Sequence, residues 1–122
     1  GYLYILDRAK QLVIRGGENI STSEVEGAVY HHPDVAECAV VGVDHPTLGE
    51  EVGVAIVAKP GKQTNLTLES VRAACTDFGL APFKKPAHVF FYEKLPRGAT
   101  GKIQKKQIRE EVNKGAIPKA KL

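Results

Sequence analysis

Apolar residues fall into short runs along the chain, and the spacing inside those runs predicts the elements. Leu3–Leu6 and Leu12–Arg15 flank Asp7-Arg8-Ala9-Lys10 and are expected to pair as a hairpin, after which Gly16-Gly17 breaks the backbone. Val25, Ala28 and Val29 recur at helical spacing behind Ser21 or Ser23, either of which can cap the helix that Pro33 ends. Val35–Val43 and Val52–Ala58 are dense in valine and read as strands, with "DHPTLGEE" as a polar loop between them. Leu68, Val71, Cys75 and Phe78 mark a second helix closed by Gly79. Ala87–Tyr92 reads as a third strand, with Phe90 and Tyr92 on one side and Val89 and Phe91 on the other. Gln104–Asn113 is a last helix with Ile108 and Val112 inward. The order ββ, α, β, β, α, β, α predicts a small α+β domain: a short N-terminal β-hairpin and a central sheet of about three strands packed by helices. The strands are too few and too short for a doubly wound sheet.

Composition adds boundaries to this picture. A chain of 122 residues, 43% apolar, makes one globular domain able to bury a core without metal or disulfide support. Cys38 and Cys75 sit in apolar surroundings and read as buried thiols in a reducing compartment, and the four histidines and two cysteines form no metal-binding spacing. No apolar run approaches the ~20 residues of a membrane span. The chain has no methionine and opens inside a strand-like run, so it is expected to be a piece of a larger protein.

Charge is unevenly placed. Residues 1–96 carry 9 Lys/Arg and 12 Asp/Glu, whereas residues 97–122 carry 8 and 2. A basic end attracts anions, either small phosphates or nucleic acid. Lys105, Lys106 and Lys114 read as a solvated face of the last helix. The basic end begins at "LPRGATGKIQKKQ", where Lys102 follows a glycine-rich turn. This is not a P-loop: that pattern needs glycine where Pro96 stands and Ser or Thr where Ile103 stands.

Three ordered segments supply another explanation: "GYLYILDRAKQLVIRGGENISTSEVE", "HHPDVAECAVVGVDHPTLGEEVGVAIV" and "FKKPAHVFFYEKLPRGATGKIQKKQIR". Together they resemble the C-terminal domain of the AMP-forming acyl-CoA synthetases, in the adenylate-forming superfamily, over nearly the whole chain. The resemblance implies residues 1–6 as a remnant of a large N-terminal domain, 7–114 as the lid domain and 115–122 as a flexible basic tail. It implies a two-step ligase: a carboxylate attacks the α-phosphate of ATP, and a thiol, commonly that of CoA, then displaces AMP. ATP, CoA and Mg2+ belong to the full-length enzyme, and this domain alone is expected to hold none tightly and to be inactive. The implied partners are the N-terminal domain, ATP or AMP, CoA and a carboxylic acid.

The resemblance also implies site residues. Lys102 matches the catalytic lysine, whose ammonium offsets charge on oxygens during adenylation. Gly98 and Gly101 make its loop flexible and let the backbone approach the nucleotide. Lys10 stands at the hinge about which the lid rotates between half-reactions, and Arg8 matches an arginine near the ribose. Gly16, Gly17 and Glu18 lie at the passage for the pantetheine arm of CoA, with Glu18 and Asn19 bracing the loop. Phe83, Lys84 and Lys85 match a site for the CoA nucleotide by stacking and charge, although Phe83 fits a core position equally well. Gln11, at a position often acidic, and Thr22, at one often proline, depart from the pattern without touching this chemistry.

Ala120-Lys121-Leu122 resembles the Ser-Lys-Leu address of peroxisomal proteins, which implies a peroxisomal import receptor as partner; without that signal the expected location is cytoplasmic. Two alternatives stay open: an adenylation domain loading a carrier-protein thiol, and a free-standing module that binds nucleic acid through the basic end. The second leaves Gly16-Gly17 and the Asp7–Lys10 run unexplained, and the resemblance argues against it.

Overall fold

The computed structural model describes residues 12–115. A single mixed sheet is built on two long antiparallel strands, β3 (Val35–His45) and β4 (Gly49–Ala58), paired from Val35↔Ala58 to His45↔Gly49. On the other side of β4, β5 (His88–Phe91) runs parallel over Gly53–Ile56, and β1 (Leu12–Arg15) joins through Arg15↔Gly49. β1 pairs in turn with β2 (Glu18–Ser21), giving five strands among the described residues. The domain is α+β, as the sequence pattern predicts, with the two valine-rich strands and β5 at its centre.

The hairpin differs in its partners. Leu12–Arg15 pairs with Glu18–Ser21 across Gly16-Gly17; the expected partner Leu3–Leu6 lies outside the described residues. Gly16 and Gly17 have φ of +55° and +86°, the positive values that a two-residue hairpin turn of the I′ type requires. The two glycines therefore join strands rather than simply breaking the chain. The "DHPTLGEE" loop is also shorter than its polarity suggests, because strand pairing runs to His45 and resumes at Gly49.

Strand alternation sends side chains to two cores, one on each face. Cys38, Val40, Val52, Val54, Ile56 and Val89 pack against helices α1 (Thr22–Val29) and α2 (Leu68–Phe78). Ala39, Val41, Ala55 and Phe90 pack against Leu95 and against Ile108 and Val112 of helix α3 (Lys105–Asn113). Phe90 and Tyr92 thus face away from Val89 and Phe91, as predicted. Helix α2 has a full capping box, in which Thr67 Oγ1 accepts from Ser70 N–H at 3.0 Å, and it ends at Gly79 with φ of +100°. Ser21 occupies the cap position of α1, but its hydroxyl meets that of Ser23 at 3.0 Å and caps no backbone group.

Among the described residues β3 pairs with β4 on one side only, and side chains bond to its other edge. Cys38 N–H donates to Tyr30 Oη at 3.1 Å and Val40 N–H to Glu26 Oε2 at 2.8 Å. Farther along, the Gly42 carbonyl accepts from Arg109 Nε at 3.3 Å and from Asn113 Nδ2 at 3.4 Å, and Asp44 N–H donates to Asn113 Oδ1 at 2.9 Å. Glu26 also forms an ion pair with Lys105 at 2.8 Å, and Lys105 donates to Thr22 Oγ1 at 3.1 Å. Lys105 is therefore half-buried in a polar network instead of lying on a solvated face. Lys106 and Lys114 are exposed as expected.

Candidate functional site

Lys102 is delivered by a small hairpin. Leu95 anchors one arm in the core and half-buried Ile103 the other, with Arg97 bridged to Ile103. Gln104 N–H donates to the Pro96 carbonyl at 2.8 Å and Gly98 N–H to the Lys102 carbonyl at 2.9 Å. At the tip, Gly101 N–H donates to the Gly98 carbonyl at 3.0 Å, and Gly101 takes φ of +84°, a conformation that favours glycine. Arg97 fastens this tip to the body: Nη1 donates to the Gly101 carbonyl at 2.8 Å, and Nη2 pairs with the Glu37 carboxylate on β3. Lys102 itself is exposed, and among the described residues no acceptor holds its ammonium. A rigid base with an exposed, uncommitted cation suits a group that acts on an anion outside the domain.

The Gly16–Gly17 turn is built at the other end of the sheet. Gly16 N–H donates to the Leu48 carbonyl at 2.8 Å, and Ile14 N–H donates to Glu50 Oε1 at 3.0 Å. A Cβ at Gly16 would approach Leu48 Cδ2 to 3.3 Å, whereas one at Gly17 would meet nothing within 4 Å. Gly17 is thus the open side of the turn. Glu18 and Asn19 do not brace it with side chains among the described residues; its support is the strand pairing and the β3–β4 turn. Beside it, Leu12 and Ile14 are exposed on one face of β1.

Phe83, Lys84 and Lys85 follow helix α2 in a short 3-10 turn. Phe83 is exposed rather than in the core, and Lys84 Nζ lies 5.7 Å from its ring centroid while pairing with Glu24 at 2.8 Å. Lys84 is therefore partly neutralised, and Lys85 is half-buried. Ala87 N–H donates to the Val52 carbonyl, which places this group toward the Gly16–Gly17 end of β4.

The structure does not bring Lys102 and Gly17 together. Arg97 ties the lysine turn to Glu37, whereas Gly49, the strand partner of Arg15, faces His45. Between Glu37 and His45 lie eight steps of strand, about 26 Å at ~3.3 Å per residue. Arg8, Lys10 and Ala120-Lys121-Leu122 lie outside the described residues. Neither thiol is poised as a thiolate: burial, with the Glu26 carboxylate adding to it, pushes Cys38 up to about 12, and burial pushes Cys75 up to about 11. Both cysteines are free and buried. Among the described residues no helix is long and apolar enough to cross a membrane.

These features define a class: a small α+β domain with an exposed lysine turn toward one end of its sheet and an exposed glycine turn toward the other. The family follows from comparison with known proteins. Residues 24–102 match the model of the AMP-binding enzyme C-terminal domain, ending on Lys102, and the chain belongs to that family. It is 45% identical over 112 residues to a salicylyl-CoA synthase / salicylate adenylyltransferase of a Streptomyces species, covering 92% of this chain and 20% of that protein. The peroxisomal trans-cinnamate:CoA ligase of Petunia hybrida is 46% identical over 110 residues, 90% of this chain and 19% of the relative. Among solved structures, apo MatB from Rhodopseudomonas palustris superposes with a TM-score of 0.79 at 38% identity, over 89% of this chain and 21% of that one. The chain thus spans about a fifth of the length of these relatives. Gly16 and Gly17 precede the matched span.

Proposed function

We propose that this domain is the mobile catalytic lid of an ATP-dependent, AMP-forming acyl-CoA synthetase. In the first half-reaction a carboxylate oxygen of the acid bonds to the α-phosphorus of ATP and the bond to pyrophosphate breaks. Lys102 sets its ammonium against the oxygens on which charge develops. In the second, the thiol sulfur of CoA attacks the acyl carbonyl carbon and AMP leaves. Gly17 lines the path of the pantetheine arm, and Phe83 with Lys84 and Lys85 faces the CoA nucleotide. ATP, Mg2+ and the acid are held mainly by the large domain, so this domain by itself is inactive.

The observation that carries the reading is the separation of the two ends. Glu37, to which the lysine turn is tied, and His45, beside the glycine turn, stand about 26 Å apart along β3, so the two turns lie toward opposite ends of that strand. A lid that turns between half-reactions presents them in succession, with Lys10 as hinge and Arg8 returning to the nucleotide. The nucleic-acid alternative is weakened by the ion pairs of Lys105 with Glu26 and of Arg109 with Asp44 and Glu50, which neutralise part of the basic helix.

The test uses the full-length enzyme that carries this domain. Lys102→Ala is expected to lower pyrophosphate release by ~10²–10³, while thioester formation from pre-made acyl-adenylate and CoA survives. If both steps are untouched, the lid reading fails. A panel of carboxylic acids in the first assay identifies the substrate, and a missing CoA requirement in the second would point to a carrier-protein thiol. For a protein that ends at Leu122, a peroxisomal location is proposed on the tripeptide, in keeping with the name of the petunia relative. A fluorescent protein ending in residues 115–122 should collect in peroxisomes, and a diffuse signal would refute it.

A further inference from the structure

The β3–β4 turn is organised around one imidazole. His45 Nδ1 accepts from Leu48 N–H at 3.0 Å and from Thr47 N–H at 3.2 Å, with the Thr47 hydroxyl also at 3.2 Å. An atom receiving two backbone N–H groups presents its lone pair, so the neutral ring carries its proton on Nε2. Nε2 lies 3.9 Å from Glu51 Oε1 on β4, and His88 of β5 reaches the same oxygen with its own Nε2 at 3.2 Å. The turn fixed in this way sets the Leu48 carbonyl against Gly16 N–H. His45 thus sits one hydrogen-bonded step behind the Gly16–Gly17 turn.

We propose that His45 is a positioning residue for the thiol-transfer half-reaction, its Nδ1 holding the β3–β4 turn under Gly16–Gly17. This rests on the reading of that turn as the pantetheine passage. Without Nδ1 both backbone N–H groups would lose their acceptor. The Glu51 oxygen that faces Nε2 is shared with His88. Asp44, next on the strand, is held by Arg109 from α3 at 3.1 Å. Lys106, Glu110 and Lys114 line a shallow cleft beside Asp44. Adenylation, served from the opposite end of β3, does not depend on His45.

The experiment compares wild type, His45→Ala, His45→Asn and Gly17→Leu in the full-length enzyme. Pyrophosphate release and thioester formation from pre-made acyl-adenylate and CoA are measured for each. His45→Ala should raise the KM for CoA about fivefold to tenfold, the effect of losing one or two hydrogen bonds, with adenylation unchanged. His45→Asn should restore that KM, because Oδ1 takes the place of Nδ1. Gly17→Leu should block thioester formation. A wild-type KM in His45→Ala while Gly17→Leu blocks the step overturns the role of His45 alone. A silent Gly17→Leu removes the passage reading and this proposal with it. An equal loss of both half-reactions in His45→Ala shows a general structural role and also overturns it.

Discussion

Removing the Arg97 side chain separates the lysine from the turn that aims it. Arg97→Ala deletes one hydrogen bond, to the Gly101 carbonyl at 2.8 Å, and one ion pair, to Glu37. Both ion-pair partners are more than a third exposed, so the pair contributes ~0–1 kcal/mol, and the hydrogen bond contributes about 1 kcal/mol. The backbone bonds of Gly98, Gly101 and Gln104 survive, as do Leu95 and Ile103 in the core, so the fold should hold. The ~1–2 kcal/mol falls instead on the order of the Gly98–Lys102 tip, and adenylation should slow about fivefold to thirtyfold. That is far less than the ~10²–10³ expected of Lys102→Ala. Pyrophosphate release by both single variants and by the double variant forms a thermodynamic cycle. If Arg97 acts only by placing Lys102, the double variant should be no slower than Lys102→Ala. An undiminished Arg97→Ala effect in the Lys102→Ala background would refute the reasoning.

Glu26→Ala strands the Val40 N–H and leaves the Lys105 ammonium with Thr22 Oγ1 alone, and urea unfolding should show a loss of about 2–3 kcal/mol; a loss under 0.5 kcal/mol would mean that water replaces the carboxylate. A Cβ at Gly42 would collide with the Glu50 carboxylate, which also accepts from Ile14 N–H and pairs with Arg109. Gly42→Ala should therefore cost ~1–3 kcal/mol in thermal unfolding, and an unchanged melting temperature would contradict the packing described. The raised thiols give a sign as well. Folded Cys38 and Cys75 hold their protons up to about 12 and 11, against an ordinary 9.0, so their contribution to stability is complete below pH 9 and lost as pH rises toward 12. Unfolding measured between pH 8 and 11.5 should show falling stability above 9, flattened by Cys38→Ala.

Much of the frame was legible because it rests on local pattern. Valine-rich β3 and β4, the two-sided β5 and the α2 helix closed by Gly79 need no distant partner to be recognised. β2 was not legible, since Glu18–Ser21 is polar and becomes a strand only through the positive φ values of two glycines. The ends of β3 and β4 were hidden for a similar reason: Asp44, Glu50 and Glu51 are polar in sequence yet paired in the sheet. Lys102 could be placed on a glycine turn because the turn and the lysine are neighbours in sequence. Its support could not, because Arg97 and Glu37 are 60 residues apart. The burial of Lys105 by Glu26, and the role of His45 beneath Gly16, likewise depend on contacts that only the folded chain creates.

The closed edge of β3 has a consequence for a domain in motion. A strand edge left open is a template on which another chain can add itself, and native sheets cover or disrupt such edges. On the proposed cycle the lid detaches from its large domain in every turnover and shows its surfaces to whatever is nearby. Glu26 of one helix and Tyr30 at its end, with Arg109 and Asn113 from another, occupy the N–H groups of Cys38, Val40 and Asp44 and the carbonyl of Gly42 along that edge. The same side chains that fasten helices to the sheet thus make the domain safe to release: along β3 it can swing through crowded solution without recruiting a neighbour's strand.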